Sequence, residues 1–280
     1  MANETTIPAR AVRRNSAVGR FRSRYGPWAV ITGASDGIGK ALAGQVAARG
    51  INVILVARNE PKLRAIADQL TGALAIQTRV IAADVSDSNA VARLEDQTRD
   101  IDVGLVILAA GFGTADAFAD APLEPELEMI GVNITAVARL AHTFARRLVD
   151  RGSGGMILFG SILGWQGVPG QASYGATKAY VQSLAEGLHH ELAPRGVDVL
   201  SVAPGPVQSG FGARAAMNMR FATTPDVVAR ATLEALGSRT TVVPGFRGRF
   251  LTAALSMLPR GLRIRVLGRV IRSMRTPTPT

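Results

Sequence analysis

Short apolar runs without polar alternation recur along the chain, spaced so that a helix fits between each pair. Trp28 to Thr32 and Ile51 to Ala57 read this way, and Leu74 to Ala83, Val103 to Ala110, Gly155 to Gly160 and Val197 to Ala203 read as the further strands of the series. A strand that is apolar on both faces is buried on both faces, which is the condition of a strand inside a parallel sheet. Between these runs the apolar positions fall at helical spacing: Lys40 to Arg49, Pro61 to Leu70, Ser88 to Thr98, a long stretch from Pro122 to Asp150, and Ala172 to Glu191 with Pro194 just beyond. A helix at Pro225 to Leu236 and a short strand at Thr240 to Val243 complete the pattern. Strand and helix alternate without an internal repeat or a linker. The expectation is a single α/β domain over residues 27–245, built as one doubly wound parallel sheet with helices on both faces.

The pattern changes at both ends. Residues 1–26 hold six arginines and one glutamate and read as a loose basic extension. From residue 245 to the C-terminus there are eight arginines and no acid, so 246–280 reads as a second extension. Placed on a helix, Leu262, Ile264, Val266, Leu267, Val270, Ile271 and Met274 cover about half the circumference, and Arg265, Arg269, Arg272 and Arg275 the rest. Arg263 intrudes on the apolar arc. Two accounts of this basic amphipathic extension stay open: packing on the domain or a sister subunit, or resting on an anionic membrane surface.

Composition narrows the classes. The net charge of +11 sits at the two ends, and arginine outnumbers lysine 29 to 3, so the high isoelectric point says little about nucleic acid. The basic ends are read as lacking the interleaved aromatics that stack bases, and no nucleic-acid partner is expected. Without cysteine there is neither a disulfide framework nor a thiolate metal site. His142, His189 and His190 fall on helices without metal-type spacing and are read as structural, so no metal is expected. The chain has no 18-residue apolar run and no apolar leader, which predicts a cytoplasmic protein, with peripheral contact at the inner face of a membrane as the tail's alternative.

Gly33, Gly37 and Gly39 sit in the turn between the first strand and the first helix. Glycines there permit a sharp turn, close approach of a phosphate and tight packing of helix on strand, while the helix start offers unpaired N–H groups to a pyrophosphate. The loop therefore predicts a dinucleotide. At the end of the second strand an NAD-preferring protein places a carboxylate for the ribose 2′-hydroxyl. Here Ala57-Arg58-Asn59 offers an arginine instead, which suits a 2′-phosphate and predicts NADP over NAD.

Tyr174 and Lys178, four residues apart, share a helix face. A free phenol titrates near pH ~10, and a neighbouring ammonium favours the phenolate, bringing proton transfer within reach of neutral pH. Ser161 on a facing turn can hold a carbonyl oxygen while the tyrosine gives or takes the proton.

Taken together these stretches resemble the short-chain dehydrogenase/reductase family, over about residues 27–245. Thr32-Gly33-Ala34-Ser35-Asp36-Gly37-Ile38-Gly39 is similar to its coenzyme loop, and Asp84-Val85 to its adenine-contacting pair. Asn133 stands where the family has a catalytic asparagine, and Ser161 with Tyr174 and Lys178 reproduces the active-site spacing. Pro204-Gly205-Pro206-Val207-Gln208-Ser209 resembles the loop at the nicotinamide carboxamide, with Ser209 in place of threonine. The resemblance implies a Rossmann-type fold, a ketone–alcohol oxidoreduction with a nicotinamide coenzyme, and a homo-oligomer, dimer or tetramer. By it Tyr174 is the general acid, Lys178 lowers its pKa and bonds the nicotinamide ribose, Ser161 orients the substrate oxygen, and Asn133 supports a proton-relaying water.

One motif departs. Leu108-Ala109-Ala110-Gly111 stands where the family carries Asn-Asn-Ala-Gly, so both amides that tie the adenosine side to the sheet are missing, although Ala110 and Gly111 keep their coenzyme-facing place. The opening from Tyr25 to Ala41 looks most similar to the branch of very-long-chain 3-oxoacyl-CoA reductases and hydroxysteroid dehydrogenases. The apolar Phe211, Met217, Met219 and Phe221 occupy the substrate-flap region, so the expected partner is a small hydrophobic ketone or alcohol of fatty-acyl, steroid-like or lipid type. Two other readings remain: a coenzyme-sensing binding protein on the same fold, and a membrane-surface protein in which the tail outweighs the chemistry.

Overall fold

The computed structural model describes residues 18–114, 117–214 and 222–274. Met217, Met219, Phe221 and Arg275, and the first part of the basic N-terminal extension, lie outside the described residues. Seven parallel strands form one sheet in the order β3-β2-β1-β4-β5-β6-β7. They are β1 (Trp28–Thr32), β2 (Asn52–Ala57), β3 (Thr78–Ala82), β4 (Val103–Leu108), β5 (Gly154–Phe159), β6 (Val197–Val202) and β7 (Thr241–Val242). The helices are α1 (Gly37–Ala47), α2 (Glu60–Ala73), α3 (Ser88–Gln97), α4 (Leu123–Ile130), α5 (Val137–Arg151), α6 (Ala172–Leu192), α7 (Gly210–Arg214), α8 (Pro225–Ala235), α9 (Phe246–Ser256) and α10 (Arg260–Met274).

The unalternating apolar strands are explained by two cores, one on each face. Ala29 and Ile31 of β1 and Leu105 and Ile107 of β4 enter one core, with α1, α2 and α8 against it. Their neighbours Val30, Val106 and Leu108 enter the other, under α3, α5 and α6. The strand order reverses between β1 and β4, and in open sheets of this kind the crevice beyond the strand ends at that reversal is where ligands bind.

Three expectations change in detail, and a fourth point left open by the sequence is narrowed. The third strand begins only at Thr78, because α2 continues to Ala73 and the Leu74 amide bonds the Leu70 carbonyl at 2.9 Å. Leu74 and Ile76 then pack on the core without joining the sheet. The long helical stretch is interrupted by a π-helical turn at Gly131–Ala136, a widening that often marks a functional position and here contains Asn133. The end of the N-terminal extension is not loose: residues 18–25 are helical, and the buried Tyr25 donates to Asp198 at 2.7 Å. The C-terminal extension folds back on the domain, where Leu255, Leu267 and Ile271 pack with Val168. Arg263, which breaks the apolar arc, donates to the Leu258 carbonyl at 3.2 Å just past α9, where a cation suits the unpaired carbonyls of a helix end.

Candidate active site

The turn after β1 leads into α1 at Gly37, whose φ of 53° and position leave no room for a side chain: a Cβ there would lie 2.8 Å from that of Ser209. A Cβ on Gly39 would lie 2.2 Å from the Gly33 carbonyl oxygen, so only glycine lets α1 start this close to β1. Asp36 occupies the N-cap of α1 but makes no capping bond to it; its Oδ2 accepts from the Gly210 amide at 2.9 Å instead. The first turn of α1 also carries no acid. The N–H groups at that end are thus left for an anion, which is what a pyrophosphate requires.

The fourth-strand motif, without its two amides, is joined to β1 by a threonine. The Thr32 hydroxyl accepts from the Ala110 amide at 3.1 Å, tying the end of β1 to the end of β4. At the tip of β2, Arg58 reaches Asp84 at 3.5 Å and Glu128 at 3.4 Å, both at the surface. Burial alone would raise the Asp84 pKa, but its two bonds from Ser86 and the nearby Arg58 outweigh that and lower it. Asn59 caps α2 by accepting from Lys62 at 2.9 Å.

Most of these groups line one cavity of about 520 Å³. Gly33, Ser35, Asp36, Gly37, Ile38, Gly39, Arg58, Asn59, Asp84, Val85, Ala110 and Gly111 line one part of it, and Pro204, Gly205, Val207 and Ser209 another. Ser161, Tyr174 and Lys178 line the same cavity. The four expected catalytic residues therefore split: three line the cavity, and Asn133 sits behind the wall, fully buried. Asn133 accepts from the Phe112 amide at 3.2 Å and donates to the Phe112 carbonyl at 2.9 Å and to Thr177 Oγ1 at 3.0 Å. A Cβ on Gly111 would stand 2.9 Å from Asn133 Oδ1 and 3.2 Å from Lys178 Nζ, so a side chain at this position would crowd both the amide and the ammonium.

Ser161, two residues past the end of β5, caps a 3₁₀ turn at Ile162–Trp165, accepting from the Leu163 amide at 3.2 Å. Its hydroxyl donates to the Pro204 carbonyl at 3.5 Å, and its presence near the Tyr174 phenol favours the phenolate. Lys178 donates to the Phe159 carbonyl at 2.9 Å, and its Nζ stands 5.8 Å from the centre of the Tyr174 ring. The electrostatics differ from the sequence reading. Burial pushes Tyr174 up to about 12, against a lowering by Ser161, and pushes Lys178 down to about 8. The ammonium does not bring the phenol toward neutral pH here, because both groups are removed from water and the low dielectric favours the neutral form of each.

The apolar end of the cavity was legible only in part. Phe112, Leu163 and Phe211 line it, and the Phe211 and Tyr174 rings lie 5.5 Å apart. Its remaining wall comes from the C-terminal extension: Leu251 of α9, and Leu267, Val270, Ile271 and Met274 of α10. The helical wheel had marked four of these five as one apolar arc, but nothing in their spacing says what the arc covers. Among the described residues there is no cluster of three or more side chains fit to hold a metal, and no helix is long and apolar enough to cross a membrane.

Residues 27–219 match the short chain dehydrogenase family. A 7β-hydroxysteroid dehydrogenase of Clostridium sardiniense is 34% identical over 185 residues, 66% of this chain and 71% of the relative. An inactive hydroxysteroid dehydrogenase-like protein 1 of Rattus norvegicus is 32% identical over 220 residues, 76% of this chain and 67% of its own. Among solved structures, one from a study of 7β-hydroxysteroid dehydrogenase stereoselectivity superposes with a TM-score of 0.82 at 28% identity, covering 89% of this chain and 99% of the other. A short-chain dehydrogenase of Sphingobium yanoikuyae in complex with NADPH gives 0.75 at 30% identity, covering 91% and 99%.

Proposed function

Because this chain belongs to the short-chain dehydrogenase family, we propose that it is an NADP(H)-dependent reductase interconverting a bulky apolar ketone and its secondary alcohol. The observation that carries this reading is that Ser161, Tyr174 and Lys178 line one cavity together with a glycine loop fit for a pyrophosphate and a set of apolar side chains. Arg58, with Ala57 in place of an acid, supports the 2′-phosphate form, as does the solved neighbour that holds NADPH. The hydroxysteroid dehydrogenase name of one relative and the apolar wall of α10 support a large hydrophobic substrate.

In this reading the N-terminus of α1 binds the pyrophosphate, Arg58 the 2′-phosphate, and the loop from Pro204 to Ser209 the carboxamide end. The coenzyme supplies or accepts the hydride. Ser161 and Tyr174 both direct hydroxyls at the ketone oxygen. With its pKa raised to about 12 the phenol is protonated at neutral pH, so it is ready to give its proton to the forming alkoxide. Lys178 holds the tyrosine's side of the pocket polar and reaches toward the ribose, and Asn133, whose Oδ1 accepts one protein bond, supports a water beside it. The surrounding apolar side chains exclude bulk water and direct the proton to the substrate. Leu123, Leu127 and Ile130, exposed at one-turn spacing on α4, support pairing of copies into a homo-oligomer.

A second reading has a specific observation behind it: some relatives are named inactive, and a protein of this fold can bind coenzyme without turning over substrate. Retention of Asn133, Ser161, Tyr174 and Lys178 favours chemistry. A panel of bulky ketones with NADPH, and of the matching alcohols with NADP⁺, separates the two. Coenzyme binding without turnover across steroid, acyl-thioester and diaryl ketones would remove the enzymatic reading.

A further inference from the structure

The outer face of α9 is apolar and turned to solvent. Phe246, Phe250 and Met257 are 73%, 67% and 86% exposed, and the exposed Ala253 and Ala254 lie between them. At 100° per residue these five positions fall within about a third of the circumference. The two phenylalanine rings stack with centroids 6.3 Å apart. Arg247 and Arg249 project on either side of the stripe, and Leu251, Leu255 and Leu258 face inward toward the domain. Next in the chain, α10 sets Arg265, Arg269 and Arg272 at the surface beside the half-exposed Leu262 and Val270. The expectation that the basic ends lack aromatics fails here: two exposed phenylalanines stand among arginines.

We propose that the α9–α10 hairpin seats this protein on an anionic lipid surface, with Phe246, Phe250 and Met257 entering the headgroup–acyl boundary and the flanking arginines meeting lipid phosphates. Three features select that occupant. An apolar stripe with cations on both sides, and no acid from residue 245 onward, matches the polarity profile of a bilayer interface. Pairing of two copies through the same stripe would bring like-charged arginines together without an acid of either hairpin to meet them, which disfavours a second copy. The stripe also runs along one helix rather than around a groove, as a planar partner requires. Its consequence is spatial: the inward side of the same hairpin is the wall of the substrate cavity, so lipid contact and cavity wall share one element. The seating itself stands apart from the catalytic reading, since it is read by vesicle binding alone.

The test is co-sedimentation of the full chain with vesicles of phosphatidylglycerol mixed into phosphatidylcholine, and of phosphatidylcholine alone. Wild type should pellet with the anionic vesicles at about 0.05 M salt, remain in solution with the neutral ones, and be released by about 0.5 M salt. The triple variant Phe246→Ser/Phe250→Ser/Met257→Ser and the double variant Arg247→Glu/Arg249→Glu should each lower the vesicle partition at least about tenfold. Unchanged thermal melting and NADPH binding in these variants show that the loss is not misfolding. If a variant does not fold, charge reversal at the outward Arg265 and Arg269 supplies the same readout. Equal pelleting of wild type and folded variants would overturn the proposal, as would failure of wild type to pellet. So would a stripe-dependent dimer without vesicle binding, or binding of a single-stranded oligonucleotide in place of vesicles.

Discussion

Lys178 holds its ammonium 5.8 Å from the centre of the Tyr174 ring and spends a bond on the Phe159 carbonyl at 2.9 Å, deep enough that burial lowers its pKa to about 8. A cation with a depressed pKa costs the fold stability in full below that value. Between the folded and unfolded values the native state binds fewer protons than the unfolded chain, so stability climbs with pH across that window. From the ordinary 10.5 down to about 8 the shift corresponds to about 3 kcal/mol. Replacing Lys178 with Met removes the charge. The stability of the variant minus that of wild type, measured by thermal melts without coenzyme, should therefore be largest near pH 7 and shrink steadily from pH 8 to about 10.5. A difference constant over that range would show that the lysine is not held near 8.

Tyr174→Phe keeps the ring that packs on Phe211 and removes only the hydroxyl. NADPH affinity should change little, while ketone turnover should fall by at least about a hundredfold, the scale of a lost general acid. A rate above about a tenth of wild type would exclude Tyr174 from that role. Lys178→Arg should also be severely impaired, because a planar guanidinium cannot reproduce the compact ammonium's bond to the Phe159 carbonyl.

Arg58 contacts Asp84 and Glu128 at long range on the surface, interactions worth little to stability and easily exchanged for a phosphate. NADPH should bind at least about tenfold more tightly than NADH, a difference of about 1.4 kcal/mol. Arg58→Asp should invert the order. Glu128→Gln, which removes a competitor for the guanidinium, should tighten NADPH a few fold at most and leave NADH unchanged. Titration calorimetry with both coenzymes reads all three, and equal affinities in wild type would contradict the assignment.

Much of this was legible in the chain because it is local. A strand apolar on every residue, such as Val103–Leu108, announces burial on both faces, and the glycine loop and the Tyr174–Lys178 pair lie within single turns of backbone. What could not be read depends on tertiary surroundings. The spacing of Tyr174 and Lys178 says nothing about how much water they lose, and it is that loss which turns the expected lowering of the phenol pKa into a rise. Asn133 was found by position, but its bonds to Phe112 and Thr177 depend on a π-helical turn that no propensity distinguishes from an ordinary helix. The tail posed the same difficulty: its apolar arc is visible on a helical wheel, whereas the cavity it walls is made by residues a hundred positions earlier.

That wall gives a last prediction. Val270 lines the cavity while still 39% exposed, so it stands at the rim where a substrate would enter, on the helix whose neighbours Leu267 and Ile271 are buried against Val168. A larger side chain there can extend over the open rim of the cavity without disturbing the packed stripe, so Val270→Trp should fold with a melting temperature close to wild type. It should narrow the apolar chamber and leave Ser161, Tyr174 and Lys178, on other elements, where they are. The expected result is selective: KM for a bulky polycyclic ketone rises about tenfold or more, the scale of a lost apolar fit, while kcat/KM for a small ketone and the affinity for NADPH stay unchanged. Steady-state kinetics on one large and one small ketone with the same preparation checks it. An equal loss on both would place Val270 outside the substrate path and remove α10 from the specificity of this site.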